Sequence, residues 1–211
     1  MIKSIITFSA VLAVSSSLAG VSLAQDAGLY ANAIDPNKAY VRVLVQDSGQ
    51  ASIAGNTVSL TESLVSGYVS VPAGAVAIGA GDGSMEMNVE PGTYYTFAQA
   101  QDGFVEFVDP PISDPSKAEV LFYNLTDKSG VNLFVPAAKT NAMSDVAAQT
   151  SQSVELRAPL ALSFEAQLEG KTLAAANDVS LERKQAVSLF LTQTSEGLDL
   201  VQVINSFAEA R

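Results

Sequence analysis

The residue types that most often carry catalysis are missing from this chain. Its 211 residues include no histidine, no cysteine and no tryptophan. A Ser-His-Asp triad, a Cys-His pair, a zinc finger and a disulfide framework are therefore excluded. Carboxylate, lysine, tyrosine and serine are what remains. Paired carboxylates can hydrolyse a glycosidic bond, but with 22 acidic residues pairs are always at hand. These charges sit at turns or on the polar side of alternating strands, as a solvated face does. No G-x-S-x-G elbow, S-x-x-K motif or phosphate-cradling G-x-x-x-x-G-K-S/T loop is present. Gly81-Asp82-Gly83-Ser84 resembles a calcium-loop fragment but lacks alternating ligands and a terminal glutamate, so a hairpin turn explains it without metal. The residues thus point to no catalytic group, no cofactor and no metal. Asn124-Leu125-Thr126 fits a glycosylation acceptor, which means little in a bacterial export product.

Binding is the chemistry left, and aromatic rings are its usual instrument. Tyr94, Tyr95 and Phe97 form one group, Phe104 and Phe107 a second, Phe122 and Tyr123 a third. On a strand, adjacent side chains point to opposite faces, so one of each neighbouring pair turns outward. Tyr94 and Tyr123 are the candidate contacts to a protein partner or a sugar. A formal net charge of −11 repels an anionic polysaccharide at low salt and excludes a nucleic-acid surface. A protein with a basic face is the natural partner.

The elements that must position these rings are strands. Residues 1–24 stand apart: Lys3, an apolar run from Ile5 to Val14, and Ser22-Leu23-Ala24 have the layout of a cleaved signal peptide. Export to a bacterial periplasm follows, and the absence of a lipobox cysteine excludes a lipoprotein. Residues 39–46 then place Val41, Val43 and Val45 on one face and Arg42 and Gln46 on the other, the period of a half-buried strand. Residues 66–71, 84–89, 93–100 and 104–108 continue the pattern. Turn signals separate the strands at Asp47-Ser48-Gly49, Gly81-Asp82-Gly83, Pro91-Gly92 and Asp102-Gly103. Short strands at such spacing favour a sandwich or barrel.

Three prolines then fall in residues 109–117, the composition of an extended inter-domain linker. Beyond it the chain restarts in the style of the first half. Ala118-Glu119-Val120 echoes Ala39-Tyr40-Val41, and Glu182 to Leu198 parallels Glu90 to Phe104. The expectation is an all-β protein of two tandem small antiparallel β-sandwich domains, 25–108 and 118–211. Residues 141–152 and 172–178, rich in Ala, Thr, Ser and Asn, are expected to be loops.

Asp26-Ala27-Gly28-Leu29-Tyr30, Tyr40-Val41-Arg42-Val43, Glu90-Pro91-Gly92-Thr93-Tyr94-Tyr95-Thr96 and Asp109-Pro110-Pro111 occur in order along the chain. Asn124-Leu125-Thr126-Asp127-Lys128 and Val179-Ser180-Leu181-Glu182-Arg183 follow. Together with the signal peptide and the length, this series resembles the AlgF family of periplasmic alginate O-acetylation proteins. The resemblance implies a non-catalytic accessory protein. In that family a membrane-bound O-acyltransferase and exported serine-esterase-like proteins carry the acetyl group, and this component bridges them. No catalytic residue is carried over.

The leading expectation is therefore a periplasmic adaptor for O-acetylation of an alginate-like exopolysaccharide, with exported and membrane-bound acetyltransferase proteins as partners. Two alternatives stand beside it. A carbohydrate-binding module would take the polysaccharide itself as partner, and a structural export product would associate through an unpaired edge strand.

Overall fold

Alternating valines in an otherwise apolar run decide the first strand, and the same device decides most of the others. A computed structural model describes residues 35–46, 49–81, 83–100 and 103–208. The signal peptide expected at 1–24, the Asp26 to Tyr30 part of the resemblance, and Asp47, Ser48, Asp82 and Asp102 of the predicted turns lie outside the described residues.

The first half holds β1 (Lys38–Leu44), β2 (Ala51–Ile53), β3 (Asn56–Val58), β4 (Val69–Pro72), β5 (Gly74–Ala80), β6 (Gly83–Val89), β7 (Tyr94–Ala100) and β8 (Gly103–Asp109). They form two sheets, ordered β4-β1-β7-β8 and β3-β2-β5-β6. Val41, Val43 and Phe97 from the first sheet meet Ile53, Val76 and Ile78 from the second in one core. The second half holds β9 (Lys117–Asn124), β10 (Val131–Val135), β11 (Thr140–Val146), β12 (Thr150–Arg157), β13 (Leu160–Leu168), β14 (Lys171–Leu181), β15 (Ala186–Thr194) and β16 (Gly197–Ile204). Its sheets run β12-β9-β15-β16 and β11-β10-β13-β14. Phe122, Leu189 and Val187 pack there against Leu133, Phe164 and Leu181.

The two halves are the same unit twice, with β1 to β8 answering β9 to β16 in order and in pairing. The likeness reaches single bonds. Asp35-Pro36-Asn37-Lys38-Ala39 reappears as Asp114-Pro115-Ser116-Lys117-Ala118. In both, the aspartate carboxylate accepts the N–H two residues on at 2.9 Å, a local turn that launches the strand. Gly92 and Lys184 both have positive φ, and their N–H groups reach Lys38 O and Lys117 O. Tyr40 and Glu119 then donate to Thr93 O and Gln185 O. This opens a parallel pairing of β1 with β7 and of β9 with β15. The all-β sandwich expectation holds, with one parallel pair at the centre of one sheet in each half.

Where the sequence was read as loop, strands are found. Residues 141–146 fall in β11 and 150–152 in β12, with a turn at 147–149, and residues 172–178 fall in β14. The alternation is hidden by bulges beside Asp145 and Asp178, which both have positive φ and interrupt the register with β10 and β13. Asn141, Ser144, Thr150, Thr172 and Asn177 are exposed, and Ser151 is half-buried.

Sheets β4-β1-β7-β8 and β12-β9-β15-β16 pack on each other through a third core of Leu44, Ala98, Phe107, Tyr123, Phe190 and Val203. Residues 35–208 accordingly lie in one compact unit. After β16 the chain crosses to the first half, where Phe207 makes a parallel bridge to Tyr68. Tyr68 N–H donates to Ser206 O at 2.8 Å and Ala208 N–H to Tyr68 O at 2.9 Å. A β-carbon on Gly67 would stand 2.6 Å from Ala208 N, so this terminal strap requires glycine there. Gly67→Ala should lift the strap and cost about 1–3 kcal/mol in overpacking and lost bonds. Thermal melts and amide exchange check this; unchanged protection at Tyr68 and Ala208 would disprove the constraint.

Candidate functional site

The strands buried on both faces carry polar residues into the join between the halves. Arg42 projects from β1 into that join and is wholly buried, although the alternation of β1 suggested a solvent-facing position. Its Nε donates to Thr96 Oγ1 at 2.8 Å and its Nη1 to Asn205 Oδ1 at 2.7 Å. Nη2 donates to Tyr123 OH and to Ser188 Oγ, each at 2.8 Å. Asp109 Oδ2 lies 3.9 Å from Nη2 and supplies the counter-charge. Asp109 in turn accepts from Tyr68 OH and Tyr123 OH, both at 2.6 Å, and from Thr96 Oγ1. Ser188 Oγ closes the ring by donating to Asn205 Oδ1 at 2.7 Å. The guanidinium also lies 4.6 Å from the centre of the Tyr68 ring, a cation–π distance.

The electrostatics follow from this packing. Burial opposes the charge on Arg42, but Tyr123, Tyr68 and Asp109 outweigh it and hold the guanidinium protonated beyond its ordinary range. Burial pushes the Tyr68 and Tyr123 hydroxyls well up, against the pull of Arg42, and Asp109 adds to the rise. Every hydroxyl around Asp109 is therefore a donor at neutral pH.

The network draws on equivalent positions of the two copies. Thr96 lies across from Arg42 on β7, and Ser188 across from Leu121 on β15. Asp109 faces Tyr94 at the end of β8, and Asn205 bonds Ala186 O at the same point after β16. Tyr123 and Leu44 are likewise counterparts. Arg42 has Leu121 as its counterpart, so the charge belongs to one half alone.

A cleft of about 520 Å³ opens beside this network. Tyr94, Thr93 and Val108 line it from the first half, and Leu121 and Ser151 to Ser153 from the second. Pro110 and Pro111 run along it. Hydroxyls, one amide and apolar walls suit recognition. Asp109, the acid at its edge, is fully engaged by hydroxyl donors. Among the described residues no group of acidic side chains is placed to hold a metal ion. Glu169-Gly170 is the hairpin turn between β13 and β14, with Gly170 at φ 77°, and Lys171 and Thr172 open β14.

Of the two candidate contacts, Tyr94 lies in the cleft, half-buried, stacked on Tyr40 at 4.7 Å. Tyr123 does not face outward. It is completely buried, stacked on Phe190 at 4.4 Å, and its hydroxyl belongs to the network. The reason is that β9 is covered on both sides, so neither Phe122 nor Tyr123 reaches water. Sequence reasoning missed Arg42, Asp109, Ser188 and Asn205. A lone arginine among valines in Val41-Arg42-Val43 and the repeated Asp-Pro-x-Lys-Ala motif were the available signals.

Residues 12–188 match the family described as Alginate O-acetyl transferase AlgF. The Alginate biosynthesis protein AlgF of Pseudomonas putida is 26% identical over 201 residues, spanning 90% of this chain and 93% of that protein. Its namesake in Pseudomonas aeruginosa is 25% identical over 173 residues, spanning 80% and 79%. Among solved structures, the C-terminal domain of AlgF from P. aeruginosa is similar at 27% identity and TM-score 0.38, covering 43% of this chain and 99% of that one. The family CBM26 module CBMbc of Eubacterium rectale Amy13K, solved with maltoheptaose, covers 82% and 98% at 11% identity and TM-score 0.31. At these TM-scores neither structure bears on what this chain binds.

The buried charge pair makes two predictions. Arg42→Leu should destabilise the protein by about 3–5 kcal/mol, because it leaves Asp109 buried without a counter-charge. Adding Asp109→Asn should then restore about 1–3 kcal/mol, since the orphaned charge is gone. Urea melts of the single and double variants check this; a double variant weaker than Arg42→Leu would contradict it. Raised hydroxyls stabilise the fold below the unfolded tyrosine pKa of about 10, and that stability is lost as pH rises beyond it. In an alkaline titration Tyr68 and Tyr123 should ionise only as the protein unfolds, read as tyrosinate absorbance stepping with the circular dichroism.

Proposed function

The chain belongs to the AlgF family, and on that premise we propose that it serves alginate O-acetylation as a non-catalytic adaptor in the periplasm. In this reading the segment 1–24 is cleaved on export, and domains 25–108 and 118–211, joined at 109–117, each offer a surface to an acetyl-transferring protein. Holding two partners on one rigid body raises the effective concentration of donor and acceptor sites. The observation that carries the reading is the buried Arg42 network. It couples the two halves and occupies the one acid at the cleft, so it supports positioning over catalysis. The lack of histidine and cysteine supports the same view.

Direct binding of the polysaccharide is the second reading, favoured by the half-buried Tyr94 ring among the hydroxyls of Thr93, Ser151 and Ser153. The acidic surface opposes it, because alginate is itself a polyanion.

The test is co-purification of the tagged protein with the polysaccharide acetyltransferases of its host, alongside an assay of the purified protein alone with an activated acetyl ester. The expected outcome is capture of an acetyltransferase and no acetyl transfer above buffer. Transfer by the protein alone would overturn the adaptor. Retention of alginate at low salt, with no acetyltransferase captured, would establish the second reading in its place.

A further inference from the structure

The outer sheets of the two halves end on edges of different kinds. In the order β3-β2-β5-β6 the last strand, β6, has β5 as its one hydrogen-bonded neighbour. Every residue of β6 pairs with β5 without a register shift. Its counterpart β14 shifts register twice against β13, opens with Lys171 and holds Asp178 at positive φ. Bulges, lysine and proline are the usual guards on a sheet edge. The run from Gly83 to Val89 has none of them.

The bonds of β5 fix which groups of β6 face outward. Ala54 N–H donates to Ala77 O and Gly81 N–H to Gln50 O, so Ala77, Gly79 and Gly81 turn their main chain toward β2. Directions alternate along an antiparallel strand, so Val76 and Ile78 turn theirs toward β6, onto Met87 and Met85. The N–H and carbonyl groups of Ser84, Glu86 and Asn88 therefore point out of the sheet.

The flank beside this edge is apolar with an acidic rim. Met85 and Met87 are half-buried against the core of the first half. Phe104 of β8 is half-buried too, and a β-carbon on Gly83 would stand 3.7 Å from its ring. Phe104 lies opposite Gln99 and Leu200 opposite Leu191, equivalent points of β7 and β15. Leu200 is buried, because the eleven-residue β14 lies against β16 where β6 has seven residues. Glu86, Glu90 and Glu106 are exposed on β6, just after it and on β8, and residues 43–116 contain no lysine or arginine. A second copy of this chain is a poor occupant, since two β6 strands pairing across Glu86 set like charges side by side.

We propose that the β6 edge takes an extended segment of a partner protein in which apolar and basic residues alternate, added to the four-stranded outer sheet as a further strand. Apolar side chains of the segment lie against Met85, Met87 and Phe104, and its basic side chains turn to the outer face beside Glu86. This rests on the adaptor reading and names one of its two attachment points.

The probe is the synthetic peptide Lys-Val-Lys-Ile-Lys-Val-Lys, titrated to saturation into the isotope-labelled full protein, with Glu-Val-Glu-Ile-Glu-Val-Glu as its charge-reversed control. Shifts are expected at Ser84, Glu86 and Asn88 and at the methyl groups of Met85 and Met87. Exchange of the three outward amides should slow by about tenfold or more. The control peptide should bind about tenfold more weakly, and Glu86→Lys should weaken the basic peptide to the same degree. Asn88→Pro removes an outward N–H and should also cost about tenfold, whereas Asn88→Ala keeps the main chain and should bind within about twofold of the parent. If the proline variant does not fold, the slowed exchange at Ser84, Glu86 and Asn88 in the parent decides the matter. The proposal is overturned by no shifts, by shifts without slowed exchange on β6, or by self-association that protects β6 without peptide. Capture of an acetyltransferase by folded Glu86→Lys at the parental level would also overturn it while leaving the adaptor standing. Failure of the parent to capture any acetyltransferase would instead count against the adaptor, with the peptide titration still deciding the edge.

Discussion

One guanidinium, sealed from water, sets the terms for the way the two halves meet. Removing a charge from water costs several kcal/mol unless the protein supplies its whole hydrogen-bonding shell. Arg42 finds that shell only where both halves contribute, with Thr96 and Asp109 from one and Tyr123, Ser188 and Asn205 from the other. The duplication explains why the partners are available. Two copies packed through the same face bring equivalent positions together, as an isologous interface does. It also explains why there is one arginine. A second guanidinium at Leu121 would share the same enclosed space with the first, and like charges at that range repel strongly. Divergence of the copies follows from that exclusion. One keeps Arg42 with Asp109, and the other keeps Leu121 with the neutral Asn205.

The strand content was legible because the valine alternation of β1 and the restart at Ala118 are local signals. The depth of burial was not. Val41-Arg42-Val43 has the period of a strand with one wet face, and nothing in the period says that a second sheet covers that face. Val120 to Tyr123 offered a better clue. An unbroken apolar run of this kind belongs to a strand covered on both sides. Strict alternation divides the same run into an inward Phe122 and an outward Tyr123, and the structure buries both. Loops were expected where β11 and β14 lie because a bulge shifts the period by one residue. A two-residue pattern cannot survive that shift.

The ends of the two copies differ for reasons that are also covalent and local. After β16 the chain reads Asn205-Ser206-Phe207-Ala208, whose Ala208 N–H donates to Tyr68 O and whose aromatic ring packs among Tyr40, Tyr68 and Tyr94. After β8 it reads Asp109-Pro110-Pro111-Ile112, where the N–H that answers Ala208 belongs to Ile112. In the sequence the prolines read as a spacer, and in the structure they line the cleft. A strap in the same geometry would meet the β-carbon that Gln152 carries where the other half has Gly67.

Spacing between the halves, on this account, does not depend on the proline segment. A short proline-rich tether by itself is only semi-rigid, and an adaptor built that way would hold its partners over a range of distances. A shared core of Phe107, Tyr123 and Phe190 around a charge that cannot be solvated removes that freedom. Separation would expose the apolar faces and break the Arg42 shell in the same motion. Effective concentration is highest when the geometry of two bound partners matches the distance between their reacting groups. In the adaptor reading, two sandwiches joined through one core keep that geometry fixed.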